Sequence, residues 1–571
     1  MNWKIKLLAI LMILTILITA CGPANFSDVI NENNDDNSIK SEPKEGGQVI
    51  IPLTNFNTFN PLLTTNSNYY YFSKLIFEGL FDFDVDLNVE PKLVESYFIF
   101  NDGKTISLEL KSGIRWHDGA QLTTDDVAFT IDVIKYANRE GTYGNILRSN
   151  LGIDEIDINK VIDTKIIDDR IIEIIFDKAY LNNLEVLTFP IIPKHIFEQN
   201  GNNRNSIINA LITEDYIPIG TGPYKFVSHE KQKYVNLVKN EDYWNGIPYI
   251  DEIKGKILDD EELILTAYEA GHVSFASTVG VDWDKYRQND RIKVLEYISS
   301  NYEFIGFNFN SELMQGEIGQ SIRKAISYGI NRQDIIHKVY LGHGTQIDVP
   351  VHPDSYLVST NGYTYGYNRD MAINILNDVG FKDIDADNIL EDQYGNKLSL
   401  RLITNENNKS RRLVCELIKD YLYDIGIDIV LDFDNQYIKE YNLEEEVLLW
   451  DELSDKVSKG DFDIALFGWQ APLIPNLYPM YHSSMIEGGT NFINYSDEDM
   501  DQLLIDTLID KTRDEKVDLY DKLQKKIVED VPYVSLYFIN RGILVDTKIQ
   551  GDLNPTFFNI YNGIENCYIA Q

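Results

Sequence analysis

Residues Lys111–Asp132 read KSGIRWHDGAQLTTDDVAFTID, and no other stretch is more informative about the fold of this chain. Ile114 and Trp116 flank the charged Arg115, which is the alternation expected of a half-buried strand. The next residues, His117-Asp118-Gly119, favour a tight turn, because glycine adopts positive φ without steric cost. The pattern therefore predicts the end of a strand followed by a turn.

A capped helix is predicted directly after that turn. Thr123 is suited to cap its N-terminus, and Asp125 and Asp126 fall in the first turn, where the helix dipole favours anions. Apolar residues then recur on one helical face: Val127, Ile131 and Ile134. A strand end, a turn and a capped helix account for the whole stretch, so we interpret His117-Asp118 as structural and not as part of a catalytic triad.

The same stretch is similar, almost letter for letter, to a scaffold signature of the family-5 extracellular solute-binding proteins of ABC importers, the peptide/nickel-binding group. Other segments resemble further elements of that family in the same order along the chain: Asn60-Pro61-Leu62, Ile76–Leu80, Glu90–Leu93, Gly220–Tyr224, Phe309-Asn310, Ile322–Arg332 and Asp461–Trp469. Asn331 departs from the family pattern, which has Asp there. The resemblance covers most of the chain.

The resemblance implies an α/β, two-lobed periplasmic-binding-protein-like fold with an extra subdomain inserted in the first lobe. Lobe one is expected over 48–302, with the inserted subdomain at about 89–216. Lobe two is expected over 303–536, and 537–571 return to lobe one. Mixed strand and helix patterns independently indicate α/β layers. Strands are predicted at 171–176, 234–238, 303–309, 398–403, 427–433 and 464–467, and helices at 372–379, 412–423 and 516–529.

The N-terminus has the pattern of a processing segment, predicted over 1–20. Lys4 and Lys6 precede the apolar run Leu7–Ala20, and Ile18-Thr19-Ala20-Cys21 is similar to a bacterial lipobox, in which the cysteine becomes the acylated N-terminus. The run is short for a membrane span, which needs about 20 apolar residues. The alternatives are a plain signal peptide or a transmembrane anchor. We predict a lipidated Cys21, a flexible polar tether over 21–47 and a cell-membrane location on the extracellular face.

Composition narrows the class of protein. The chain has 571 residues, too many for one ordinary core, and a formal net charge of −39, which argues against nucleic acid as a partner. Of three cysteines, Cys415 and Cys567 remain after lipidation, so one disulfide or, as we prefer, two buried thiols are predicted. The sequence has no zinc-protease, serine-hydrolase, P-loop or dinucleotide motif. We predict no catalytic residue, no cofactor and no metal.

One acidic segment needs a separate interpretation. Asp383-Ile384-Asp385-Ala386-Asp387-Asn388 spaces carboxylates as the first half of a calcium loop does, but Asn388 replaces the sharp-turn glycine. Tyr394 stands where such a loop has its bidentate glutamate. The sequence therefore favours a solvated turn, and chelators are expected neither to unfold the protein nor to abolish binding.

Candidate ligand residues come from the resemblance. In peptide-binding members the strand after Gly-Trp pairs with the ligand main chain, and here that strand is Gly468-Trp469-Gln470-Ala471. Such members often carry an aspartate shortly afterwards for the ligand ammonium, but Ile474 falls at that place and Asn476 offers only a neutral acceptor. Tyr69 and Tyr70 follow the element that lies near the cleft in the family, and tyrosines suit an adaptable pocket.

The expected function is that of a lipid-anchored, monomeric receptor that captures an oligopeptide or another small solute and delivers it to an ABC permease in the membrane. A peptide-sensing receptor for signalling and a binder of a non-peptide solute, such as a nickel complex, are the alternatives within this fold. An extracellular enzyme is the third hypothesis, and the absence of a nucleophile, metal or paired-acid motif argues against it.

Overall fold

The computed structural model describes residues 42–136, 161–180, 182–198, 201, 203–213, 216–278, 281, 283–405, 407–433, 443–509 and 511–570. Its strands are β1 Gln48–Thr54, β2 Phe81–Phe83, β3 Val89–Pro91, β4 Val94–Phe100, β5 Thr105–Leu110, β6 Ile162–Ile166, β7 Ile171–Phe176, β8 Tyr224–Glu230, β9 Tyr234–Lys239, β10 Glu252–Leu258, β11 Phe275–Ser277, β12 Ile292–Phe307, β13 Gly344–Gln346, β14 Ser399–Ile403, β15 Asp428–Leu431, β16 Ile464–Gln470, β17 Tyr533–Asp546, β18 Ile549–Gln550 and β19 Tyr568–Ile569.

Helices alternate with these strands along the chain. Their bounds are α1 Ser67–Ser73, α2 Thr124–Tyr136, α3 Lys194–Phe197, α4 Asn203–Ile212, α5 Glu261–Glu269, α6 Gly316–Gly329, α7 Arg332–Tyr340, α8 Arg369–Asp378, α9 Lys409–Tyr423, α10 Leu443–Ser458, α11 Tyr478–Tyr481, α12 Glu498–Asp506 and α13 Arg513–Asp530. Among the described residues, no helix combines the length and apolar character needed to cross a membrane. Cys21 lies outside the described residues.

Three larger sheets organise the fold. One has four strands in the order β1-β10-β9-β8, and a second has the order β4-β5-β7-β6. The third has seven strands in the order β11-β17-β12-β16-β14-β15, with β13 added on β17. The third sheet is mixed, because β12 pairs antiparallel with both neighbours whereas β14 is parallel to β15 and β16. The combination confirms the α/β class.

The two long strands β12 and β17 run through the centre of the seven-stranded sheet. Sequence patterns predicted only the end of β12, from Glu303 onward, because polar and apolar residues do not alternate in the partly exposed segment Ile292–Ile298. The β12–β17 register shifts between Ile298 and Tyr302 and again between Glu303 and Phe304. These irregularities fall at the predicted lobe boundary, so the chain passes that point as a paired strand and not as a loop.

Buried apolar side chains form separate clusters. The largest runs from Val49 to Ile257 and also takes in Phe275 and a C-terminal group from Ile543 to Cys567. Two others lie within the later part of the chain, one spanning Ile305–Tyr537 and one spanning Tyr302–Phe538. The numerical lobe and subdomain boundaries given above remain predictions. Cys415 and Cys567 are both buried and, among the described residues, unpaired, as predicted.

The opening stretch folds as its sequence indicates. Ile114 and Trp116 are each 2% exposed while Arg115 is exposed, and Gly119 has φ +92° in the turn. The helix begins at Thr124, one residue after the predicted cap. The observed capping bond differs from the expected one, because the main-chain N–H of Thr123 donates to the Asp126 carboxylate at 3.0 Å.

Asp126 is the polar centre of this region. Its carboxylate also accepts from the indole of Trp116 at 3.3 Å and from the main-chain N–H of Lys194 at 2.9 Å. Burial raises the pKa of this carboxyl, and these hydrogen bonds work in the opposite direction. The second aspartate of the signature therefore ties α2 to the start of α3 and is structural.

His117 joins two of the family-like segments. The main-chain N–H of Gly220 donates to His117 Nδ1 at 3.2 Å, so Nε2 carries the proton and donates to the Gly222 carbonyl at 3.0 Å. A Cβ on Gly220 would lie 1.7 Å from the carbonyl oxygen of Ile76, so only glycine allows this approach. The structure therefore explains these motifs as a packed scaffold.

Candidate functional site

Strand β16 has a free edge over part of its length. It pairs with β12 along its whole length, from Ile464 to Gln470. On its other side, β14 pairs only with Ile464 and Ala465. Within the part of the chain that the structure describes, the outer edge beyond Leu466 has no strand partner. An unpaired strand edge presents main-chain donors and acceptors to another extended chain.

The alternation of hydrogen bonds along β16 shows which main-chain N–H and C=O groups face the free edge. Ala471 donates its N–H to the Ser300 carbonyl on the β12 side at 2.7 Å, while the Leu466 carbonyl accepts from Thr404 on the opposite side at 2.8 Å. Polar groups alternate between the two edges of an antiparallel strand. The N–H and C=O groups of Gly468 and Gln470 therefore point towards the free edge.

A buried ion pair covers one face of this edge. The guanidinium of Arg411 donates through Nε and Nη2 to the two carboxylate oxygens of Glu303, each at 2.8 Å. The two side chains are 15% and 7% exposed. Burial raises the pKa of Glu303, and the hydrogen bonds from Arg411 oppose that rise. A bidentate pair of this kind holds both side chains in one orientation.

Gly468 is required by that ion pair. A Cβ at this position would lie 2.4 Å from Arg411 Nη2 and 2.5 Å from Glu303 Oε1. The absence of a side chain lets the pair lie directly over the strand. Glu303 and Arg411 were not predicted as site residues, although an acidic residue inside the apolar run Tyr302–Phe307 was a visible signal.

Aromatic rings cover the other face. Trp469 is half-buried, and its ring lies nearly parallel to that of Phe304 with 6.2 Å between centroids. Phe304 in turn stacks on Tyr533 at 4.1 Å. The hydroxyl of Tyr481, beside Tyr533, is buried with no hydrogen-bond partner among the described residues. Such a hydroxyl is a polar group available to a ligand that reaches it.

The segment after β16 turns away at once. Gln470 is exposed and ends the strand, and Ala471 is 9% exposed. Ile474 is 4% exposed and therefore part of the interior. Asn476 accepts a hydrogen bond from the main-chain N–H of Tyr478 at 3.2 Å and so supports the start of α11.

The two predicted tyrosines of the N-terminal part occupy different environments. Tyr69 is fully buried, donates its hydroxyl to the Phe59 carbonyl at 2.7 Å and stacks on Phe56. Tyr70 is half-buried, with the Lys74 ammonium 5.5 Å from its ring centroid. Tyr70 is thus the better placed of the two to meet a ligand, and both assignments remain predictions.

A small cavity of about 60 Å³ lies elsewhere, beside the buried Glu78 and the lysines Lys74 and Lys92. Glu78 accepts hydrogen bonds from Thr221, Tyr243 and Trp244 at 2.7–2.9 Å. Ligand pockets usually have about 300–1,000 Å³. This cavity belongs to the scaffold motifs and is too small for a peptide.

Several contacts connect the N-terminal part of the chain to the segment that follows β12. Lys516 forms an ion pair with Glu185, and Arg513 donates to the Asn88 side chain at 2.7 Å. The main-chain N–H of Tyr356 donates to the Asp86 carbonyl at 3.1 Å. These contacts join the two parts of the chain in this structure.

The sheet order, the central paired strands β12 and β17 and the open edge of β16 define the class: a two-lobed α/β solute-binding protein of the periplasmic type. A model of the bacterial extracellular solute-binding proteins, family 5, matches residues 88–490, and the chain belongs to that family. Its members are the substrate-binding components of transporters and not enzymes.

Relatives agree with this assignment. The chain is 26% identical over 580 residues to the oligopeptide-binding protein AppA of Bacillus subtilis, covering 99% of both chains. It is 24% identical over 504 residues to the glutathione-binding protein GsiB of Pectobacterium atrosepticum, covering 86% of this chain and 88% of that one.

Solved structures give the same fold. The structure of AppA from Bacillus subtilis in complex with a nonapeptide matches with a TM-score of 0.60 and 26% identity, covering 93% of this chain and 100% of that chain. NikZ from Campylobacter jejuni in complex with Ni(L-His) matches with a TM-score of 0.59 and 22% identity, covering 89% and 95%. The second likeness concerns the fold alone.

Proposed function

We propose that this protein is the lipid-anchored, extracellular receptor of an ABC importer and that it captures oligopeptides by adding them as a strand to the free edge of β16. The single observation that supports peptide capture most directly is the outward orientation of the N–H and C=O groups of Gly468 and Gln470. Main-chain pairing grips any peptide, whatever its side chains.

The surroundings of this edge suit a peptide better than a metal complex or a single small solute. On one face the Glu303–Arg411 pair is internally neutralised, so it offers no unpaired charge to select a charged side chain. On the other face, aromatic rings around Trp469 give apolar area with polar tips. Both features favour the binding of peptides with varied side chains. The similarity to an oligopeptide-binding protein supports the same proposal.

Capture would proceed by closure of the lobes. The register shifts of β12 near Ile298 and Glu303 mark the place where paired strands can bend, since ladder irregularities increase local twist. Ligand contacts to both lobes would stabilise the closed state. Small-angle scattering of residues 48–571 is expected to give a smaller radius of gyration with bound peptide, and the protein is expected to be monomeric. An unchanged radius with a tightly bound peptide would exclude closure in solution.

The test of the capture mode uses a matched pair of variants at one position. Gln470→Pro removes the outward N–H donor but leaves the β12 pairing of its neighbours, whereas Gln470→Ala keeps the donor. With a peptide selected from a randomised library, Gln470→Pro is expected to lose about tenfold in affinity, the equivalent of one hydrogen bond. Gln470→Ala is expected to bind like the wild type. Equal affinity of both variants would contradict strand addition.

The class of ligand is tested independently. Mass spectrometry of small molecules released from the denatured, purified protein is expected to detect peptides. Release of a nickel or haem complex without peptides would contradict the peptide assignment while leaving the solute-binding class intact.

A further inference from the structure

Three carboxylates converge in the connection between α8 and β14. Asp383, Asp385 and Glu391 each contribute one oxygen to a group in which all three atoms lie within 4.8 Å of one another. Asp383 and Asp385 are exposed to solvent, whereas Glu391 is 3% exposed. The group lies apart in sequence from every residue of the candidate ligand site.

Glu391 is the unusual member. Its Oε2 accepts the main-chain N–H of Ile384 at 2.8 Å. Its Oε1 is buried and has no hydrogen-bond partner in the part of the chain that the structure describes. A buried carboxylate oxygen without a donor is unfavourable unless a cation or a hydrogen-bond donor compensates it.

The position of Glu391 is set by the main chain. Lys382 and Glu391 exchange two hydrogen bonds at 2.9 and 2.8 Å, and Glu391 also forms a bridge with Lys397. These main-chain contacts fix the backbone of Glu391 beside the acidic turn. One oxygen of its carboxylate lies within 4.8 Å of a carboxylate oxygen of Asp383 and of Asp385.

The loop itself has the shape that the sequence left in doubt. Asn388 has φ +73° and so makes the sharp turn in place of glycine, which asparagine tolerates better than most residues. The sequence favoured a solvated turn because Tyr394 occupies the position of the usual glutamate. Glu391, three residues earlier, supplies the missing carboxylate, and this could be seen only once the loop was folded.

We propose that Asp383, Asp385 and Glu391 bind a calcium ion that holds the loop before β14 in place. Calcium accepts carboxylate, main-chain and water oxygens in a flexible geometry, whereas magnesium requires a near-ideal octahedron. A divalent cation bound between the three carboxylates also reduces their mutual electrostatic repulsion. Lys397, which pairs with Asp387 and lies 3.6 Å from Asp385, neutralises the outer side of the loop.

The site is separate from ligand capture, so its test does not depend on the ligand. Purified wild-type protein, freed of metal by EDTA and dialysed, is titrated with calcium chloride by calorimetry, and its thermal unfolding is followed in calcium and in EDTA. One binding event and a higher unfolding temperature in calcium are expected. No heat of binding and no shift at millimolar calcium would overturn the proposal.

Two variants locate the site. Glu391→Gln is expected to abolish the calcium-dependent shift and yet to unfold in EDTA at or above the wild-type temperature, because a neutral amide replaces the uncompensated carboxylate. Asp385→Asn, at an exposed position, is expected to weaken calcium binding without affecting the fold. Glu416→Gln makes the same change of charge on the exposed face of α9 and is expected to bind like the wild type.

Three other results would contradict the assignment of a calcium ion to this site. Unchanged calcium binding in both Glu391→Gln and Asp385→Asn would place any calcium elsewhere on this acidic protein. An equal loss of calcium binding in Glu416→Gln would mean that the effect depends only on net charge. Magnesium chloride as effective as calcium chloride at the same concentration would overturn the choice of ion.

Discussion

The ammonium of Lys516 on α13 lies 2.8 Å from the Glu185 carboxylate, and the two side chains are only 11% and 12% exposed. The two residues are far apart in sequence, and they belong to the predicted second lobe and the predicted inserted subdomain. The ion pair therefore stabilises only a conformation in which these parts are together. Because lobe closure and ligand binding are coupled, loss of this ion pair is expected to lower the affinity for ligand.

Lys516→Met is expected to weaken peptide binding by about tenfold, since removing one partner of a poorly solvated pair leaves the other charge uncompensated in the closed state. Titration calorimetry measures the affinity, and scattering without ligand is expected to give a larger radius of gyration. Lys525→Met is the control, because Lys525 is exposed and pairs with Glu529 on the surface of the same helix, 3.8 Å away. Equal effects of both variants would contradict a role in closure.

Gly468→Ala is expected to destabilise the protein by about 2–4 kcal/mol, because the new Cβ displaces Arg411 from the buried Glu303 carboxylate. The midpoint of urea unfolding measures this loss. Gly366→Ala is the matched control, since no described atom lies within 4 Å of a Cβ at that position. If Gly468→Ala unfolds like the control, the ion pair does not depend on the missing side chain.

Stability is expected to decrease as the pH falls from 6.5 to 4, and His117 should account for part of the loss. Burial lowers the pKa of His117 from 6.5 to about 4. The unfolded chain therefore takes up a proton at a higher pH than the folded one, so acid favours unfolding, by at most about 3 kcal/mol for this residue. His117→Gln should flatten the pH profile of unfolding, whereas a change at the exposed His272 should not.

Peptides with a free or an acetylated N-terminus are expected to bind with affinities within about threefold of each other, as measured by calorimetry. The reason is that the family resemblance predicts Ile474 at the place of an aspartate that often binds the ligand ammonium, and Ile474 is buried. Ile474→Asp should favour free-amine peptides, but its burial means that the variant also loses stability. A strong preference of the wild type for the free amine would contradict this prediction.

Cys21→Ala is expected to release the protein from membranes or to stall its processing, because the lipobox-like segment Ile18–Cys21 is predicted to be cleaved and acylated. Membrane fractionation and mass spectrometry of the N-terminus check both consequences. Substitution of Cys567, a buried thiol, is the control for a general effect of losing cysteine. A Cys21→Ala protein that is cleaved and sediments with membranes as before would rule out the lipid anchor.

Local chemistry explains why much of the scaffold was predictable. The turn at Gly119 and the helix from Thr124 depend on residues within a few positions of one another, so their sequence pattern carries the information. The Asn331 departure from the family pattern is equally local, because its side chain still caps α7 by accepting from the N–H of Asp334 at 3.1 Å. Each of the six predicted strands is present, but the length of β12 was not predicted.

The sequence by itself indicated the class of fold, because turns, caps and apolar periodicity are short-range, and it indicated the family through the resemblance of its ordered motifs. Only the tertiary structure decided which β16 groups face an open edge, that Arg411 reaches Glu303 across 108 positions and that Glu391 turns inward towards Asp383. Each of these depends on strand pairing or burial between distant segments. That information lies in the packed arrangement of the chain and not in the spacing of residues along it.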